Sequence, residues 1–181
     1  MSLDRTQPPT PGPVARFDFP AVEAVPARDG LAVRVARLPR LPVVAATLVI
    51  PTGEVGLGAE RAGHAVLAAQ ALEGGTRDRS GAELAEALES LGASFQASAA
   101  WDATTVSLAC LADRLEEAMP LLAEAVLRPS FPEGEVARIR EQQLARIRQR
   151  EMDPASLASE RAAELIHAAH LPYAQIGRAH V

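Results

Sequence analysis

RAGHAVLAAQALEGGTRDRSGAELAEALESLGASFQASAAWDATTVSLACL, residues 61–111, carries two changes of hydrophobic period from which an architecture follows. From Ala62 to Leu72 the residues Ala65, Leu67, Ala68, Ala69, Ala71 and Leu72 are good helix formers, apolar on nearly every side. They predict a buried helix that ends at Gly74-Gly75. Ser80 followed by Glu83 is a capping box, and Leu84, Leu88 and Leu91 then recur at helical spacing up to Gly92. Beyond that glycine the period falls to two. Phe95–Ala99 and Thr104–Leu111 alternate about a turn at Trp101-Asp102, which predicts a hairpin.

Upstream, Asp29-Gly30 signals a turn before a strand over Leu31–Arg37, and Pro39 and Pro42 punctuate the way to an apolar strand, Val43–Ile50. These two read as a hairpin with a longer loop. Residues 1–28 hold Pro8, Pro9, Pro11, Pro13, Pro20 and Pro26 and read as an extended arm. Residues 51–58 read as a loop. Downstream, Leu115, Met119, Leu122 and Val126 predict a helix with a kink at Pro120. Val136, Ile139 and Ile147 stripe a charged helix, and Asp153-Pro154 caps a last one. The expected class is α+β, with helices packed on an antiparallel or mixed sheet.

At 181 residues with 48% hydrophobic but only 3% aromatic content, the core must be built from Leu, Val and Ala. A net charge of -5 argues against nucleic acid or an anionic membrane as partner. All 18 basic residues are Arg, and the chain has no Lys and no Asn, which reflects a GC-rich genome rather than chemistry. Cys110 is single and lies in an alternating apolar stretch, so it reads as a buried thiol. No apolar run is long enough for a membrane span, and no signal peptide is visible. The compartment, periplasmic or cytoplasmic, stays open.

The runs LPVVAATLVIPTGEVG (41–56), RAGHAVLAAQALEGGTRDRS (61–80) and LAEALESLGASFQASAAWDATTVSLACL (84–111) together resemble the N-terminal half-unit of insulinase-like (pitrilysin-type) zinc peptidases. LEEAMPLLAEAVLRPSFPEGEVARIREQQLARI (115–147) and LPYA (171–174) continue the likeness, which covers residues 29–174. It implies the LuxS/metallopeptidase-like α+β half-unit. Active members carry H-x-x-E-H on the first helix, two zinc ligands and a general base, and a second Glu on a later helix. Anchored on Gly75-Thr76, the ligand positions hold Val66 and Gln70, the base position Ala69, and the distal Glu position falls near Arg146, within one residue. The resemblance therefore implies a metallopeptidase homologue with no catalytic, cofactor-binding or metal residues and no zinc. It would be the non-catalytic subunit of a heteromer, bound to a catalytic insulinase-like subunit and to peptide. Alternatives are an active zinc endopeptidase whose metal site lies in a further part, or a structural subunit of a larger assembly.

His64 lies about 200° around the first helix from position 66 and reads as a helix-start histidine rather than a displaced ligand. His167 and His170 share a face, yet no third ligand accompanies them, so a helix-end role is the plainer reading. The Arg- and Glu-rich segment 138–151 reads as a solvated helix face, and Trp101 as a packing residue of the hairpin. An edge strand of such a sheet can take up an extended peptide through main-chain groups alone. The tail 175–181 breaks with the preceding composition, and Ile176–Val181 matches the translation of a common sequencing adapter. The expectation is that the gene runs on past Ala174 and that this tail is an artefact.

Overall fold

In the computed structural model, residues 12, 16, 18–26, 30–38 and 40–167 are described. His170 and the tail 175–181 lie outside them. The chain divides into two compact units, residues 1–41 and 42–181.

In the first unit, Val22–Val25 (β1) pairs antiparallel with Val33–Ala36 (β2), with Glu23 opposite Val35 and Val25 opposite Val33. This corrects two expectations. The proline-rich arm contains a strand, because VEAV sits between its prolines and carries β-branched residues free to pair. The strand over 31–37 pairs with β1 and not with the strand over 43–50.

The second unit is built on a three-stranded antiparallel sheet in the order β3-β5-β4, from Val43–Ile50 (β3), Ser94–Ala99 (β4) and Thr104–Leu111 (β5). The central strand is thus the last in sequence. Eight cross-strand pairs join β3 to β5, from Val43 opposite Leu111 to Ile50 opposite Thr104. That long register outcompetes any short local hairpin that β3 could make. The hairpin β4–β5 forms as its alternation predicts.

On β5 every second residue, Val106, Leu108 and Cys110, is buried, and Ala97 of β4 lies on the same face. On the opposite face Thr47 and Ser107 hydroxyls meet at 3.1 Å and Ser98 and Thr105 at 3.0 Å, so these neighbouring polar groups satisfy one another. The helices against the core are His64–Ala71 (α1), Gly81–Ser90 (α2) and Leu115–Leu127 (α3). Glu133–Glu151 (α4) packs on α1, and Pro154–Ile166 (α5) packs on α4.

α2 starts with the expected capping box: Ser80 Oγ accepts from the Glu83 N–H, and Glu83 Oε2 accepts from the Ser80 N–H at 2.8 Å. These bonds to Ser80 hold the Glu83 carboxyl below its ordinary value. Asp153 caps α5 through the Ser156 N–H at 2.9 Å. On α3 the expected Leu122 is buried and Leu115 and Val126 pack half-buried against the core, but Met119 is exposed, and Ala118, Leu121, Glu124 and Ala125 are buried as well. The two alanines are fully buried and bring the α3 backbone close to β5, which larger residues on that stripe would prevent. Pro120 lies inside α3 and, having no N–H, cannot donate to the Glu116 carbonyl.

Candidate functional site at the first helix

α1 has no local N-cap. Its N-cap position is Gly63, which has no side chain to offer and sits at φ 88°, a left-handed setting that suits glycine. The missing acceptor comes from nine residues upstream. Glu54, in the 3-10 turn Glu54–Leu57, is buried and places Oε2 at 2.8 Å from the Gly63 N–H and Oε1 at 3.0 Å from the Val66 N–H. A carboxylate at a helix N-terminus satisfies free backbone donors and opposes the positive end of the helix dipole. The sequence itself predicts only a connecting loop over 51–58. An uncapped helix start is the signal that should prompt a search for a distant acid.

The same loop is fastened to the far end of the β4–β5 hairpin. The Glu54 N–H donates to the Ala100 carbonyl at 3.1 Å and the Val55 N–H to the Trp101 carbonyl at 3.0 Å. The Thr104 hydroxyl donates to the Thr52 carbonyl at 2.8 Å. Gly53 lies so close that a Cβ there would stand 2.4 Å from both the Ala100 and Trp101 carbonyl oxygens. Trp101 is half-buried in this turn.

The residues that the resemblance sets at the metal positions of active members sit as follows. Val66 and Ala69 are buried at 8% and 2% exposure, and Gln70 is half-buried. The helix lies between β4 and α4 and is covered on most sides, with Val66, Ala69 and Ala71 buried and only His64 and Ala68 exposed. Arg146 on α4 is also exposed. The inward face of α4 runs through Ile139, Gln143 and Ile147, one turn apart, so a one-residue shift brings the distal position to Ile147. Gln143 is buried and donates through Nε2 to the Gly63 carbonyl at 3.3 Å, tying α4 to the start of α1.

Val66, Ala69 and Ile147 have no lone pair, and an amide such as Gln70 is a poor ligand for zinc. This donor set does not fit the zinc of active relatives. Among the described residues no group of three or more His, Cys, Asp and Glu could hold a metal ion. His64 is exposed, with Nδ1 2.9 Å from the Arg61 carbonyl, as befits a helix-start residue. His167 ends α5 and is half-buried. Arg138 pairs with Glu135 at 2.7 Å on the largely exposed face of α4, and Arg150 pairs with Glu160. The Glu135 bond raises the Arg138 pKa.

Beyond α1, Thr76 and Glu124 form a buried polar knot. The Thr76 hydroxyl donates to Glu124 Oε1 at 2.5 Å and accepts from the Arg79 N–H at 2.9 Å. Arg79 pairs with Glu124 Oε2. The Thr76 bond and the Arg79 charge hold the Glu124 carboxyl below its ordinary value against the opposing effect of burial. The knot anchors the α1–α2 connection to α3.

β4 forms one edge of the sheet, and among the described residues no strand pairs with its outer side. The Ala100 N–H bonds to the Ala103 carbonyl at 2.8 Å. Antiparallel alternation then turns the main-chain groups of Phe95, Ala97 and Ala99 outward. α1 packs against this strand.

The family model for insulinase, peptidase family M16, matches residues 33–180. No curated protein matches. Among solved structures, the peptidase M16 inactive domain from Pseudomonas fluorescens is 29% identical at a TM-score of 0.79, over 87% of this chain and 38% of that one. A protease from Helicobacter pylori shares the fold at a TM-score of 0.68 and 20% identity, over 77% of this chain and 34% of that one. The chain thus spans little more than a third of either. No described helix is long and apolar enough to cross a membrane.

Proposed function

Because the chain belongs to the insulinase family of peptidases, peptidase family M16, we propose that it serves in a non-catalytic, zinc-free subunit that pairs with a catalytic subunit of the same family and helps to enclose and bind peptide. The observation that supports this reading is the burial of Val66 and Ala69, the two residues that the resemblance equates with a zinc ligand and the general base of active members. Neither side chain can hold a cation or take a proton from water. The likeness to a domain described as inactive supports it.

Peptide binding needs no metal. The outward main-chain groups of Phe95, Ala97 and Ala99 offer an extended segment one side of a β-ladder, and side-chain pockets are not required for that pairing. The test is zinc content by elemental analysis after dialysis, together with cleavage of a quenched fluorescent peptide. The chain alone should hold no stoichiometric zinc and cleave nothing, while a catalytic family member added to it should gain turnover. Stoichiometric zinc with partner-free cleavage would sink the proposal.

A further inference from the structure

We propose that Glu54 is a positioning residue that locks α1 to the far end of β4 and so holds the outer edge of that strand in the geometry an extended peptide requires. The peptide half of this statement rests on the edge-strand reading above; the mechanical half does not.

Glu54 bonds to both elements at once. Its two carboxylate oxygens take the Gly63 and Val66 N–H groups, and its own N–H donates to the Ala100 carbonyl one residue beyond the end of β4. The residues on either side of it reinforce the second attachment. Val55 donates to the Trp101 carbonyl, and Gly53 lies against the same two carbonyls with no room for a Cβ. Gln143 adds a third element by reaching the Gly63 carbonyl from α4.

The chemistry explains why a carboxylate stands here. α1 is short, and its N-cap is a glycine with no side-chain acceptor. Removal of the Glu54 carboxylate would leave the Gly63 and Val66 donors without their acceptor at a part-buried helix start. With α1 released, the loop that clamps Ala100 and Trp101 loses its other anchorage. The last turn of β4 is then free to fray, although its pairing with β5 is intact. An edge strand that frays cannot present its donors and acceptors in one line, so peptide affinity falls through the strand's order rather than through any lost contact.

The experiment compares the chain with its E54A and E54Q variants at a temperature well below melting. Amide hydrogen exchange is read at Ser98 and Ala100, at α1, and at α2 as an internal control. Binding is read by fluorescence anisotropy with a labelled extended peptide of alternating valine and threonine, against the same peptide N-methylated at alternate amides. For E54A, exchange at Ala100 and in α1 should accelerate together by about tenfold, roughly the factor one charge-assisted hydrogen bond supplies, with α2 unchanged. E54Q keeps one carbonyl oxygen as acceptor and should fall between. The dissociation constant for the unmethylated peptide should rise by a similar factor. Faster exchange in α1 with Ala100 unaffected would make Glu54 a plain helix cap and overturn the lock. Equal binding of both peptides by the unaltered chain would overturn the edge-strand reading, while the exchange result still judges the lock. Coupled exchange without any loss of affinity would overturn the positioning of the edge.

Discussion

Thr76→Val tests whether the polar knot between α1, α2 and α3 holds the unit together. Thr76 and Glu124 are 4% and 7% exposed, so the substitution acts in a region with little water to compensate. Valine matches threonine in size and opens no cavity; what disappears is the hydroxyl. Its bond to the Glu124 carboxylate belongs to the class in which a charged partner is involved, worth about 1.5–3 kcal/mol. The Asp78 and Arg79 N–H groups also lose their acceptor, at 3.2 and 2.9 Å, neutral bonds worth about 0.5–1 kcal/mol net each. The total is about 2.5–5 kcal/mol, which for a unit of this size lowers the melting temperature by roughly 5–20 °C.

The loss also depends on pH. The Glu124 carboxyl lies below its ordinary value of 4.5 when folded, and the Thr76 bond is the first cause. Between the folded value and 4.5 the unfolded chain binds more protons, so stability falls as pH drops through that window. The variant, with the bond gone, has less of this stability to lose. Urea titrations across the acid range should therefore show the gap between the two proteins narrowing below about pH 4.5. A loss under about 1 kcal/mol near neutrality, or a gap constant into strong acid, would refute the account of the knot.

Leu108 is 1% exposed at the centre of β5, and Leu108→Ala should cost about 3–5 kcal/mol by denaturant titration, because the strand on both sides prevents collapse into the space. Ser80→Ala removes the capping-box acceptor and should cost about 1 kcal/mol, measured the same way, with faster exchange confined to the first turn of α2.

Much of the unit was legible along the chain. The capping box at Ser80 and Glu83, the hairpin about Trp101-Asp102 and the Asp153 cap all arise from residues within a few positions of one another. Their energetics are local, so spacing is enough to find them. One member of the α3 stripe was not legible: Leu115, Leu122 and Val126 meet the core as expected, but Met119 is exposed while Ala118 and Ala125 are buried, because small side chains let helix and strand approach.

Identity and order of residues were enough to place the chain as an α+β homologue of the insulinase-type peptidases. Which strand lies beside β3, which residue of α4 turns inward and what caps α1 are decided by contacts between segments far apart in the chain. Glu54 shows why. Its role exists only once the hairpin end and the helix start, tens of residues apart, are brought within hydrogen-bonding distance of one carboxylate. No periodicity records that meeting, since it is set by the packing of the whole unit.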